Sequence, residues 1–311
     1  MRLPVTLAAV LAAAIVAPAL LAQPRGPAAV ERTLTHDGRA RTYLVHDFAR
    51  DVPAPVVVVL HGGGGNAANA VRMTGMNRLA ARDGFIAVYP NGTAGRGRGR
   101  LLTWNAGHCC AAAMTNRVDD VGFLAAMIEA LVATGRADRT RVYVTGMSNG
   151  GMMAHRLGRE LPDRLAAIAP VVGAIFGDEA PPRAPMPAFI VVGATDAVVP
   201  PGGGSLQLRA LLGRRSAADH DVAPALAQAT YWATHNGCSP PVTTETPRAT
   251  TSSWTRCTSG APVVFHRVAG NGHAWPGGEP GRRGAATPAA GFNASDEIWA
   301  FFKDQRRPAR P

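Results

Sequence analysis

The sequence predicts an α/β fold, with a single domain built on a mainly parallel, twisted sheet covered by helices on both faces. Three observations point there. Short β-branched runs alternate with helically spaced segments from about residue 32 to residue 305. One of those runs, residues 56–60, is apolar without a break, as a strand buried on both faces must be. A Gly-x-Ser-x-Gly turn then falls between a strand and a helix. The 311 residues, 47% apolar and 17% charged, suit one large packed domain, since no linker or internal repeat divides them.

The chain starts with Met1-Arg2 and an Ala-rich apolar run ending at Ala22, broken by Pro4 and Pro18. A basic start and a short hydrophobic stretch predict a secretory signal over residues 1–22, removed to leave residues 23–311 outside the membrane. Residues 32–47 then read as a hairpin around His36-Asp37-Gly38. After the strand at 56–60, residues 69–82 carry helical spacing through Val71, Met73, Met76 and Leu79; a short strand follows at 85–89 and a long apolar helix at 118–134. A strand at 141–145 meets the Gly146-Met147-Ser148-Asn149-Gly150-Gly151 turn and a helix over 152–160. Strands at 165–172, 188–193 and 263–268 and helices at 222–235 and 295–305 complete the order. In such sheets chemistry sits at the carboxyl ends of the strands.

The formal charge of +11 is carried almost wholly by arginine, Lys303 being the one lysine. The arginines are scattered, the densest group (Arg96, Arg98, Arg100) lies in a Gly-rich loop, and no nucleic-acid motif accompanies them. A nucleic-acid partner is therefore not expected. Four cysteines in an exported chain are expected to oxidise. Cys238 and Cys257 bracket a Pro/Thr/Ser-rich excursion and form the expected bridge. The adjacent Cys109 and Cys110 leave three outcomes open: a bond to each other, free thiols, or bonds elsewhere. No second Cys or His cluster stands at ligand spacing, so neither a metal nor an organic cofactor is expected.

Strand and helix flanks turn the common pentapeptide Gly146-Met147-Ser148-Asn149-Gly150 into a candidate nucleophile elbow. A serine hydroxyl is a weak nucleophile at neutral pH and needs an imidazole to take its proton and a carboxylate to hold the imidazole. Both follow in order: Asp196 after the strand at 188–193, and His273 after the strand at 263–268. Asp178 and the pair Asp119-Asp120 are competing acids, the pair lying at a helix start, where carboxylates commonly stabilise the terminus. His61-Gly62-Gly63-Gly64-Gly65 follows the buried strand, where amides of Gly63 and Asn149 are expected to serve a developing oxyanion. A phosphate loop is rejected because no Gly-Lys-Ser/Thr follows. Trp104 and Trp275 sit in loops at the same sheet edge and are candidate walls of an acyl pocket, where a flat apolar surface would suit an aromatic acyl group or a hydroxyalkanoate backbone.

From about Arg32 to Phe302 the chain resembles the extracellular polyhydroxybutyrate depolymerase and feruloyl esterase-like family of the α/β-hydrolases. The resemblance rests on Leu60-His61-Gly62-Gly63, Trp104-Asn105-Ala106-Gly107 with Cys109-Cys110, Val118-Asp119-Asp120-Val121, the Ser148 turn, Asp196 with Val199-Pro200, and Gly272-His273-Ala274-Trp275-Pro276-Gly277. It implies that residues 23–311 form a hydrolase catalytic domain acting on carboxylic esters through an acyl-enzyme with a Ser148-His273-Asp196 triad. Substrates of such proteins include hydroxyalkanoate oligomers or polyester and the feruloyl or acetyl esters of plant polysaccharide. The chain ends soon after its last helix, with no linker or polymer-binding domain, which favours oligomers or soluble esters. A monomer, periplasmic or extracellular, is expected. An acyltransferase with the same triad, a serine peptidase, and a non-catalytic envelope-binding protein are the rival readings.

Overall fold

The computed structural model describes residues 28–95, 101–207, 221–281 and 285–308. The signal predicted over residues 1–22 and the Arg96, Arg98, Arg100 group lie outside them. The centre is built first by valine. β3 (Ala54–Leu60) is buried over nearly its whole length, with Val56, Val58 and Leu60 packing into one core and Val57 and Val59 into the other. A strand whose side chains alternate between two dry layers has to lie mid-sheet.

Around it, β1 (Val30–His36), β2 (Arg39–Asp47), β4 (Ile86–Pro90), β7 (Ala137–Met147), β8 (Ala167–Val171), β9 (Ala188–Gly193), β10 (Val242–Glu245), β11 (Ala249–Trp254) and β12 (Val263–Val268) complete one sheet in the order β1-β2-β4-β3-β7-β8-β9-β12-β11-β10. From β4 to β12 the pairings are parallel, and both flanks are antiparallel. A separate two-stranded ribbon, β5 (Thr93–Ala94) and β6 (Leu102–Thr103), stands beside the sheet. The fold is that of the α/β-hydrolases, formed as one domain.

Two predicted elements differ in form. The single helix expected over 69–82 is two, α1 (Ala67–Thr74) and α2 (Met76–Asp83), because Gly75 takes a left-handed conformation (φ 60°) and its amide closes α1 onto Val71 O. That position suits glycine, which carries no Cβ to resist a positive φ. Asn66 starts α1 by accepting from the Asn69 amide. The excursion between the cysteines, read as loop, contains the β10–β11 hairpin; its Thr- and Ser-rich strands extend the sheet edge from β12. Cys238 and Cys257 are bonded across its base, and Cys109 and Cys110 are bonded to each other.

The remaining helices are α3 (Ala111–Thr115), α4 (Asp120–Val132), α5 (Asn149–Glu160), α6 (Ala225–His235) and α7 (Ala294–Phe302). Of the competing acids, Asp119 caps α4 by accepting from the Gly122 amide. Asp120 turns inward instead: its carboxylate takes a 2.6 Å bond from Arg41 and a 2.8 Å bond from the Asn105 amide. Burial pushes the Asp120 carboxyl upward, while Arg41 opposes the shift. Asp178 pairs with His108 at 3.0 Å.

The connectivity fixes where a ligand crevice must open. From β3 the chain crosses through α1 and α2 to β4 on one side; from β7 it crosses through α5 to β8 on the other. β3 and β7 are neighbours with opposite exits, so a crevice forms beyond their carboxyl ends.

Candidate active site

Ser148 sits at that point, between the last residue of β7 and the first of α5, with φ 56° and ψ −121°. A non-glycine residue in this region is strained, and here the surroundings hold it. Its amide bonds to Val171 O at 2.9 Å and its carbonyl accepts from the Met152 amide at 2.9 Å. The flanking glycines allow the crossing: a Cβ on Gly150 would stand 2.6 Å from His61 O and 2.7 Å from Leu60 O, and one on Gly146 would stand 2.6 Å from Gly150 O. No real Cβ fits there, so α5 approaches β3 this closely only through glycine.

Two loops bring the partners. His273 Nε2 lies 2.9 Å from Ser148 Oγ, and His273 Nδ1 lies 2.8 Å from Asp196 Oδ2. The other carboxylate oxygen, Oδ1, accepts from the amides of Val198 (2.8 Å) and Val199 (2.9 Å), so the Asp196 side chain is held in place by its own turn. All three side chains are buried, Ser148 being 6% exposed and His273 9%. A hydroxyl, an imidazole and a carboxylate in this series can move the hydroxyl proton onto Nε2 while the carboxylate keeps Nδ1–H pointed away.

The structure adds residues that the motifs alone did not single out. Asn271 is fully buried; its carbonyl accepts from the amide and hydroxyl of Thr195, while its side chain bonds to Gly272 O, Ala274 O and the Ala289 amide. It therefore ties the loop carrying His273 to the loop carrying Asp196. The Asn149 side chain pairs with both backbone groups of Trp104, at 2.8 and 3.0 Å. Its position in the elbow was legible in the sequence, but the partner was not.

Gly63 lines the cleft beside Ser148, and Asn149 opens α5. Among the hydrogen bonds between described residues, neither amide donates to a protein acceptor. The Gly63 loop is held by His61, whose Nδ1 donates to Gly62 O (2.8 Å) and whose Nε2 accepts from the Gly92 amide (3.0 Å). With both nitrogens engaged and water excluded, the ring is neutral, and burial pushes its pKa down to about 4.

Trp104 and Trp275 do not line the cleft. Both indoles are buried, Trp104 donating to His61 O and Trp275 to Ser295 Oγ, each at 3.0 Å. An indole buried with its N–H satisfied is an anchor for the loop that carries it, and this replaces the expectation that either ring forms an acyl wall. The cleft, about 400 Å3, is walled instead by α1 through Ala68, Asn69, Arg72 and Met73 and, opposite, by Ala274, Gly281, Ala285 and Ala286.

His155 and His266 behave as His61 does. His155 donates to Gln228 Oε1 and accepts from Trp232 Nε1, His266 meets Thr251, and burial pushes both pKa values down to about 4. Unfolded histidine titrates near pH 6.5. The unfolded chain therefore binds more protons between about pH 6.5 and pH 4, and stability is present above that window and lost as pH falls through it. At about pH 5 the loss is expected to be about 2 kcal/mol for each of the two fully buried rings, His61 and His155. Urea midpoints measured across that range check this; a flat profile would contradict it.

A family model described as esterase PHB depolymerase matches residues 42–186, a stretch that holds Gly63, Ser148 and Asn149 but ends before Asp196 and His273. The protein named "Putative esterase NocK" from Nocardia uniformis subsp. tsuyamanensis is 31% identical over 259 residues, covering 78% of this chain and 72% of the relative. The chain belongs to the PHB depolymerase esterase family. Membership makes it a carboxylic ester hydrolase. This esterase is also 29% identical over 244 residues to feruloyl esterase B of Piromyces equi (75% of this chain, 42% of the relative). It is 31% identical over 120 residues to poly(3-hydroxyalkanoate) depolymerase C of Paucimonas lemoignei (39% and 28%). It thus spans less than half of the length of these last two. In fold, the esterase is similar to the acetyl xylan esterase from Aspergillus awamori, with a TM-score of 0.57 at 16% identity over 88% of this chain and 99% of that one. A thermostable esterase gives 0.55 at 15% identity over 90% and 63%. Among the described residues no helix is long and apolar enough to cross a membrane.

Proposed function

We propose that the protein is an exported serine carboxylesterase that works through an acyl-enzyme, with Ser148 as nucleophile, His273 as general base and then acid, and Asp196 as the carboxylate that orients His273. One observation carries the reading: the unbroken Ser148 Oγ, His273 and Asp196 hydrogen-bond series at the floor of a cleft, where the β3 and β7 carboxyl ends diverge. Ser148 attacks the ester carbonyl as its proton passes to His273 Nε2. The oxyanion is taken by the amides of Gly63 and Asn149, assisted by the amino-terminal dipole of α5. His273 returns the proton to the leaving alcohol, and water, activated by the same nitrogen, releases the acid. No metal or organic cofactor has a part in this route. Export rests on the sequence pattern of residues 1–22.

The cleft walls favour a compact aliphatic acyl group. Alanine and glycine dominate them, with Met73, Leu101 and Met147 as the large apolar contacts. Short hydroxyalkanoate and acetyl esters fit that lining better than an aromatic acid requiring a stacking partner. Names among the relatives span feruloyl esters, acetylated xylan and polyhydroxyalkanoate. The test is a panel on the mature protein: nitrophenyl acetate and butyrate, methyl ferulate, acetylated xylan and 3-hydroxybutyrate oligomers. The expected order places short aliphatic esters first; a clear preference for ferulate would refute the acyl assignment, and transfer to added alcohols in place of hydrolysis would favour an acyltransferase.

A further inference from the structure

Among the described residues lining the cleft, Arg72 is the one permanently charged side chain. We infer that Arg72 is a specificity residue selecting esters that carry a free carboxylate near the scissile bond. The inference rests on the ester-hydrolysing role proposed for Ser148, and it deepens that reading by adding a charge requirement.

Arg72 stands in the last turn of α1, on the face that also gives Ala68, Asn69 and Met73 to the cleft. One guanidinium nitrogen donates to Gly281 O at 3.1 Å, across the mouth. That bond fixes where the side chain lies while using one of five N–H donors, so an edge of the planar fork is left for a ligand. Nearby arginines are already neutralised: Arg78 and Arg82 both reach Asp296, and Arg82 also reaches Asp83. Arg72 has no ion-pair partner among the described residues. A cation without an ion-pair partner among the described residues, beside walls of alanine, glycine, methionine and Leu101, raises the local concentration of anions, and its fork matches a carboxylate in two parallel hydrogen bonds.

Two ester classes present that chemistry: an oligomer of a hydroxy acid, which ends in a free acid, and an acyl ester on a uronic acid. They are separated by two matched pairs of substrates. The first is the linear 3-hydroxybutyrate dimer as free acid and as terminal carboxamide; the second is an acetylated methyl glucuronoside as free acid and as glucuronamide. In at least one pair, kcat/KM should favour the acid by about three- to fivefold, mainly through KM, as a partly exposed ion pair allows. Arg72→Gln should bring that ratio to about one, Arg72→Lys should keep part of it, and raised ionic strength should shrink it in the parent protein. The pair that shows the preference identifies the source. Equal turnover of acid and amide in both pairs by the parent protein, or a ratio unchanged in Arg72→Gln, overturns the inference. Ser148-dependent turnover of nitrophenyl butyrate in the same preparation separates failure of this inference from failure of the esterase reading, since absence of that turnover removes both.

Discussion

Ser148→Ala is expected to lower kcat/KM on nitrophenyl butyrate by about ten thousandfold or more, because it removes the atom that bonds to carbon and leaves only the amides and the cleft to assist water. The protein should remain folded with an unchanged urea midpoint. Alanine has the same Cβ as serine, so the strained backbone at φ 56° is neither relieved nor worsened, and only the 2.9 Å bond to His273 is lost. Ser148→Gly makes a useful contrast. It should be equally inactive yet more stable by about 1 kcal/mol, since glycine adopts this region without the cost borne by other residues. Reaction with a fluorophosphonate probe should disappear in both variants. Substantial ester turnover by Ser148→Ala would remove the serine from the reaction, and a large fall in its stability would show that the hydroxyl has a structural task.

The second large effect is expected at Gly150. A Cβ there would lie 2.6 Å from His61 O and 2.7 Å from Leu60 O, both backbone atoms at the end of the central strand, which cannot swing away as a side chain would. Gly150→Ala should therefore cost about 3 kcal/mol or more as α5 is pushed off β3. The same displacement carries the Asn149 amide and Ser148 Oγ away from the Gly63 loop. A shift approaching 1 Å between reacting groups is worth about a hundredfold in rate, so kcat should fall by about that factor in whatever fraction remains folded. Gly202→Ala is the control: no atom lies within 4 Å of its Cβ position and its φ is not in the positive region. It should stay within about 0.5 kcal/mol of the parent. Equal behaviour of the two variants would mean that the elbow tolerates a Cβ at this spacing and would overturn the prediction.

The parts of this molecule legible in its sequence are those set by neighbouring residues. Four consecutive valines ahead of His61 state a strand buried on both faces, and a Gly-x-Ser-x-Gly turn between strand and helix states an elbow. The relation between Ser148, Asp196 and His273 was legible as order along the chain, because each follows a strand that ends at the same sheet edge. What lay beyond reach depended on what packs over a side chain. Trp104 and Trp275 read as walls because tryptophan beside a predicted site is a reasonable binding surface; His61 and Ser295, distant in sequence, draw both indoles inward. Arg72 and Met73 went unassigned because nothing local states how α1 is rotated once Gly75 ends it. The β10–β11 hairpin was hidden by prolines and by the absence of alternating apolar residues, since an edge strand buries little.

The two walls of the cleft are fastened to each other across its mouth. Glu279 N bonds to Met73 O at 3.0 Å, and Gly281 O receives both the Asn69 amide group and Arg72. None of these residues belongs to the Ser148, His273 and Asp196 series, which hangs from the ends of β7, β9 and β12. Only the α1 half of this fastening lies on a stretch of chain apart from all three, since Glu279 and Gly281 follow His273 in the loop between β12 and α7. A lineage of such proteins can therefore widen, narrow or recharge the entrance by a few changes in α1 while the turns that carry Ser148, Asp196 and His273 keep their sequence.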